Sequence, residues 1–155
     1  MTRSQSGFDL TPPTAEQRAR LEADLNQEER DVLLHQGTEA PFCGGLLSQK
    51  KPGVYCCRLC GLPLFQQKTK FDSGTGWPSF YEPIDPAHVI GVEDNSYGMR
   101  RVETRCARCD SHQGHVFPDG PRPTGMRYCI NSVSLEFVPE GEPLPDQLER
   151  GEKLA

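Results

Sequence analysis

The chain has 155 residues, with 17 Lys and Arg against 22 Asp and Glu and a formal net charge of −5. That length suits one domain with a real core, and the net acidity argues against nucleic-acid binding, which needs a basic footprint. Fifteen Gly, 14 Pro and only 35% hydrophobic residues predict frequent turns and few long helices, while an odd count of seven Cys rules out complete pairing within one chain.

Residues 1–13 are polar, contain Pro12-Pro13 and lack the apolar run of a secretory signal. They are expected to be a flexible N-terminus. No stretch approaches the roughly 18 apolar residues of a membrane span, so a cytoplasmic protein is expected. In a reducing compartment, closely spaced cysteines point to metal or redox chemistry rather than a disulfide framework. Charge divides the chain: residues 1–40 carry net −4, 41–138 net +2 and 139–155 net −3. All seven Cys, the single Trp and three of the four His lie in the middle part.

Residues 14–36 read as a short helical hairpin. Thr14 with Gln17, and Asn26 with Glu29, have capping-box spacing. Leu21, Leu25, Val32 and Leu33 recur near the helical period, and Gly37 is placed to end the second helix. From Gly53 the pattern changes to short apolar or alternating runs at 53–57, 62–65, 89–92, 98–104, 114–117 and 127–138. Turn signals such as Asp72-Ser73-Gly74 and Pro118-Asp119-Gly120-Pro121 separate them, which predicts antiparallel β structure.

Within those runs stand two Cys-x-x-Cys knuckles, Cys57/Cys60 and Cys106/Cys109. Each lets two sulfurs face one ion, and together they complete a closed tetrahedral S₄ site of the kind zinc favours. With no open coordination position, the zinc is expected to be structural. Gly61 follows the first knuckle, where a positive φ is often needed. Cys56 can compete with Cys57, but Cys57 has the two-residue spacing to Cys60. A Cys₂His₂ alternative from Cys106, Cys109, His112 and His115 has too few residues between its pairs and orphans Cys57 and Cys60.

Gly74-Thr75-Gly76-Trp77-Pro78-Ser79-Phe80 is a rigid aromatic turn, able to present an indole beside a small-molecule pocket or to bury it as core. In Arg127-Tyr128-Cys129-Ile130-Asn131-Ser132, strand alternation puts Arg127, Cys129 and Asn131 on one face. A cation two residues away lowers a thiol pKa, Asn131 can donate to developing charge, and His115 can supply an acid. The competing reading makes Cys129 a small buried hydrophobe. Residues 139–155, acidic and Pro-rich, are expected to be a loosely ordered tail.

Gly53-Val54-Tyr55 with the first knuckle, Gly61-Leu62-Pro63-Leu64-Phe65, Phe71-Asp72-Ser73-Gly74-Thr75-Gly76-Trp77-Pro78-Ser79-Phe80, Gly114-His115-Val116-Phe117 and Arg127–Ser132, in that order, resemble the methionine-R-sulfoxide reductases of B type. The likeness runs from about residue 23 to 138. It implies one catalytic domain over 14–138, mainly β, with two antiparallel sheets, a short N-terminal helical region and a structural zinc. It implies Cys129 as the catalytic thiolate, with His112, His115, Arg127 and Asn131 around it, and Trp77 receiving the substrate methyl group. Phe80 and Phe117, from the same motifs, are expected to join Trp77 at the substrate. Attack of Cys129 on the sulfoxide sulfur leaves methionine and a sulfenic acid, which a second thiol converts to a disulfide reduced by thioredoxin. Many members carry the second cysteine in the Gly-x-Gly-Trp-Pro loop, where this chain has Thr75. Cys43, followed by the flexible Gly44-Gly45 and outside the knuckles, is the expected partner. Cys56 and direct reduction by an external thiol are the alternatives. Oxidised proteins carrying methionine-R-sulfoxide are the implied substrates, and the protein is expected to act as a monomer without nucleic acid or membrane. A non-enzymatic zinc-ribbon-like binding module is the rival class.

Overall fold

The computed structural model describes residues 3–154. Two short helices lead, α1 over Ala15–Ala23 and α2 over Gln27–Leu33. Both capping boxes form: the Thr14 hydroxyl accepts from the Gln17 amide and the Asn26 side chain accepts from the Glu29 amide, each reciprocated. Leu21, Leu25, Val32 and Leu33 are buried, as their spacing predicts. Gly37 does not end α2. The helix stops at Leu33, and the residue with left-handed backbone is Gln36, at φ 59°. Gly37 instead sends its N–H back to the Asp31 carbonyl at 2.8 Å, where an added Cβ would lie 2.8 Å from that same oxygen.

Nine strands follow among the described residues, all paired antiparallel. β1 (Gly53–Cys57) is the middle of a three-stranded sheet between β2 (Pro63–Gln66) and β9 (Leu135–Pro139). The second sheet has six strands in the order β3-β4-β8-β7-β6-β5. Its members are β3 (Lys70–Phe71), β4 (Ser79–Phe80), β5 (Val89–Asp94), β6 (Arg101–Cys106), β7 (His112–Phe117) and β8 (Arg127–Ile130). Two antiparallel sheets with N-terminal helices therefore form the protein. The apolar run 127–138 is not one strand. A single 3₁₀ turn at Ser132–Ser134 breaks it, so that β8 belongs to the large sheet and β9 to the small one. That crossing starts at Asn131, whose amide donates to the Gln113 carbonyl at 2.9 Å.

An aromatic slab joins the sheets. Phe65 stacks on Phe80 at 4.5 Å, and Tyr55 meets Phe80 edge-on at 5.1 Å. The other face of β1 is also covered: Val54, Cys56 and Val138 pack with Ile84 and Leu144. Both terminal segments reach the core, through Phe8 and Leu148, which are 2% and 5% exposed. Buried Arg108 links the two termini, donating to the Asp9 carbonyl and to the Glu152 carboxylate, which also accepts the Asp9 amide. No helix among the described residues is long and apolar enough to cross a membrane.

Candidate active site and metal centre

The two knuckles fold alike. In the first, the Cys57 amide donates to the Leu62 carbonyl and the Gly61 amide to the Cys57 carbonyl. In the second, the Cys106 amide donates to the Ser111 carbonyl and the Asp110 amide to the Cys106 carbonyl. The residue after each knuckle is left-handed, Gly61 at φ 83° and Asp110 at φ 64°. The predicted glycine conformation is thus present, and an Asp supplies it in the repeat, as Asp does more readily than most residues.

This duplicated geometry brings the sulfurs of Cys57, Cys60, Cys106 and Cys109 within 4.8 Å of one another, all buried. Cys57 lies 3.6 Å from Cys109, and Cys60 lies 3.6 Å from Cys106. A tetrahedral ion with metal–sulfur bonds of about 2.3 Å sets sulfurs about 3.8 Å apart, so the four can hold one metal ion. The Ser111 hydroxyl and the Gln113 amide, 3.3 and 3.5 Å from the Cys57 sulfur, can support such thiolates. Cys56 stands apart, because alternation along β1 turns it into the Val54/Val138 cluster. His112 and His115 are committed elsewhere, which leaves no role for the Cys₂His₂ alternative.

Cys129 lies on β8 and is partly exposed in a cavity of about 290 Å³. Arg127 and Asn131 line it too, as alternation predicts, with His115, Trp77 and Phe117. His115 pairs directly with Cys129 across β7 and β8. Its Nε2 is 2.7 Å from the Asp94 carboxylate, at the end of β5, and that hydrogen bond is the main cause holding Asp94 well below the usual carboxylate range. His112, three residues before His115 at the start of β7, does not line the Cys129 cavity. It is 3% exposed, its ring centroid lies 5.6 Å from that of His115, and its Nδ1 is 2.7 Å from Glu103. Burial lowers the His112 pKa, so the ring is neutral, with Nδ1–H donating to Glu103.

Arg127 stacks its guanidinium 4.4 Å from the centroid of Phe117 and makes a bidentate pair with Asp119 at 2.9 and 3.2 Å. The expectation that this cation lowers the thiol pKa holds only as a partial effect. Burial pushes Cys129 up and outweighs the opposing influence of Thr75, Arg127 and Ser79. Arg127 shares its charge with Asp119, which weakens what the sulfur receives.

Trp77 is half-buried and donates its indole N–H to the Glu39 carbonyl at 2.9 Å. Asn131 is held at both ends of its amide: Oδ1 accepts from the Glu39 amide at 3.0 Å and Nδ2 donates to the Gln113 carbonyl at 3.1 Å. Phe80 is not at the cavity. It is fully buried against Phe65 and Tyr55, because β4 turns its side chain opposite to that of Ser79, which faces Cys129 in register. Cys43 is exposed in the loop before β1. Its neighbour Phe42 donates its amide to the Gly76 carbonyl at 2.7 Å, bringing the Cys43 segment beside the Trp77 loop.

Five residues of the site lay outside the sequence reading: Asp94, Glu103, Glu39, Arg101 and Thr38. Arg101 and Thr38 line the cavity, and Arg101 donates to Asp94 at 3.4 Å. For Asp94 the sequence offers one signal, the turn residues Glu93-Asp94-Asn95, which place an acid at a hairpin end without saying which histidine faces it.

Residues 25–139 match the SelR domain family. The chain is 72% identical over 153 residues to the peptide methionine sulfoxide reductase MsrB of Caulobacter vibrioides, covering 99% of this chain and 96% of that one. Identity is 61% to the enzyme of that name from Xylella fastidiosa, over 94% of each chain. It is 52% to that of Escherichia coli, over 84% of this chain and 92% of the relative. With the domain match spanning most of the chain and identities of 52% to 72% over most of each relative, the chain belongs to the SelR-domain family of MsrB-type methionine sulfoxide reductases.

Proposed function

We propose that this protein reduces the R epimer of methionine sulfoxide, peptide-bound or free, with Cys129 as nucleophile. The observation that carries this reading is a partly exposed cysteine in a cavity it shares with an indole, an imidazole and a guanidinium. Cys129 sulfur attacks the sulfoxide sulfur while the sulfoxide oxygen, gaining charge, takes a proton. His115, oriented by Asp94, is the nearest imidazole to supply it, and Arg127 and Asn131 flank the developing charge. His112, one layer behind and tied to Glu103, supports His115 from below. Oxygen is transferred so that Cys129–SH and the sulfoxide become Cys129–SOH and methionine. Two electrons pass from the cysteine sulfur to the substrate sulfur. Trp77 and Phe117 form the apolar wall against which the S-methyl group rests, and that wall selects the epimer.

Cys43 then condenses with the sulfenic acid, releasing water and forming a Cys43–Cys129 disulfide. Its exposure and its place beside the Gly76–Trp77 loop favour it over Cys56, which is fully buried on another sheet. Thioredoxin, a dithiol reductant, restores both thiols by exchange. The S₄ cluster holds a structural zinc, tying the β1–β2 turn to the β6–β7 turn. The protein acts on oxidised proteins as a cytoplasmic monomer.

The test supplies each epimer of an N-acetylated methionine sulfoxide with dithiothreitol. Turnover of the R epimer alone is expected, and turnover of neither, or of the S epimer, refutes the reading. With thioredoxin as reductant, Cys43→Ser should keep a first turnover and lose recycling. Mass spectrometry of the parent after one substrate equivalent should show Cys43 bonded to Cys129. A Cys56–Cys129 bond or a lasting sulfenic acid overturns that step.

A further inference from the structure

Three hydroxyls extend in sequence from the Cys129 sulfur. Thr75 Oγ1 is 3.7 Å from that sulfur, Ser73 Oγ is 2.8 Å from Thr75 Oγ1, and Ser79 Oγ is 2.7 Å from Ser73 Oγ. Ser79 Oγ also lies 3.1 Å from the Trp77 carbonyl oxygen. We propose that Thr75, Ser73 and Ser79 form a hydroxyl chain whose donor direction reverses when Cys129 ionises. Thr75 accepts from the resting thiol and donates to the thiolate that attacks substrate. The proposal rests on Cys129 being the nucleophile.

Counting protons sets both directions. Each hydroxyl has one proton to donate, and a carbonyl can only accept. In the resting state Ser79 donates to the Trp77 carbonyl, so Ser73 must donate to Ser79 and Thr75 to Ser73. Thr75 then has no proton left for the sulfur, and the thiol S–H donates to it. Once the sulfur carries a negative charge it can only accept. Thr75 turns to donate to it, Ser73 donates to Thr75, Ser79 donates to Ser73, and the Trp77 carbonyl is released. The Trp77 amide, 3.5 Å from Thr75 Oγ1, donates in both states. The chain keeps its three hydroxyl protons throughout. The proton that leaves the thiol goes to solvent or to the departing sulfoxide oxygen, so the overall balance is still Cys129–SH plus sulfoxide giving Cys129–SOH plus sulfide.

Such a chain answers a need that the charges around Cys129 leave open. Arg127 on its own strand is paired with Asp119, His115 on β7 with Asp94, and Arg101 on β6 shares that same Asp94. Each basic group lining the cavity is thus tied to an acid behind it. A hydroxyl has no such counter-ion, and aligned hydroxyls polarise one another. Thr75 touches the reacting sulfur and is a catalytic residue by that contact. Ser73 acts through it as a positioning residue, while Ser79, paired with Cys129 across β4 and β8, closes the chain back beside the sulfur. The turn that assembles them depends on Gly74 and Gly76, at φ 73° and 94°, conformations that other residues adopt with strain.

The experiment measures the pH dependence of iodoacetamide alkylation at Cys129, resolved by mass spectrometry, in a Cys43→Ser background. Thr75→Val should raise the alkylation midpoint by about 1 pH unit, the effect of one lost hydrogen bond to a charged sulfur. Thr75→Ser should restore the parent midpoint. Ser73→Ala, one link from the sulfur, should raise it by less. An unchanged midpoint in Thr75→Val, or an equal rise in Thr75→Ser, overturns the proposal. Should Thr75→Val fail to fold, Ser73→Ala decides, because an unchanged midpoint there also removes the chain. Reductase activity surviving in Cys129→Ser would instead refute the nucleophile reading and leave the titration result standing on its own.

Discussion

Gly114 is where the fold and the chemistry meet most tightly, and Gly114→Ala tests that coupling. Gly114 sits on β7 opposite Ile130, one residue from the His115–Cys129 pair, and lines the cavity. A Cβ added there would lie 2.0 Å from the Cys129 carbonyl oxygen and 2.9 Å from the Ile130 Cα. Ordinary contacts begin at 3.4 Å, so about 1.4 Å of separation is missing, and both obstructing atoms are backbone. No side-chain rotation relieves that. β8 must move away from β7, taking Cys129 with it. Overpacking of this kind costs about 1–3 kcal/mol of stability. A displacement near 1 Å at a catalytic group costs roughly 100-fold in rate. Two measurements check the pair: urea unfolding, and methionine formed in a single turnover from the R sulfoxide. Loss of stability with parent-like single-turnover rate would show that the β7–β8 spacing does not position Cys129. Parent-like values of both would refute the steric reasoning itself.

The geometry sets four further outcomes. Cys106→Ser should release zinc, measured by metal analysis, and lower the melting temperature sharply; unchanged metal content refutes the S₄ site. Phe80→Ala should destabilise the protein by about 3–5 kcal/mol, as for a fully buried aromatic, while leaving KM for substrate unchanged in the folded fraction. A raised KM there would put Phe80 back at the substrate. Burial holds the Cys129 thiol above its ordinary range, so the single-turnover rate should rise as pH increases through and beyond that range. Arg127→Met removes one of the opposing influences and should shift the rise to still higher pH; a shift to lower pH would refute the assigned sign.

Local patterns carried much of the architecture. The capping boxes at Thr14 and Asn26 and the buried leucines between them needed only the helical period. The two knuckles needed only their internal spacing, because two sulfurs two residues apart converge whatever surrounds them. Arg127, Cys129 and Asn131 share the cavity because strand alternation is a property of the backbone. Other features were invisible for equally physical reasons. The two-residue strands β3 and β4 have no period to detect, and they exist only because β8 supplies a partner. Phe80 read as a substrate contact from its neighbours in sequence, yet which face of β4 it takes depends on that pairing.

Residue types and short-range spacing, then, determined the helices, the cysteine set that can hold a metal, the face of β8 that lines the cavity and the family. Tertiary structure alone decided that His115 meets Asp94 while His112 withdraws to Glu103, that Arg127 spends its charge on Asp119, and that Phe8 and Leu148 enter the core. These are contacts between residues far apart in the chain, whose partners are chosen by strand order and register. A thiol's ionisation is the sum of burial and such contacts, so the cation two residues from Cys129 could be read from the sequence, but not the burial that outweighs it.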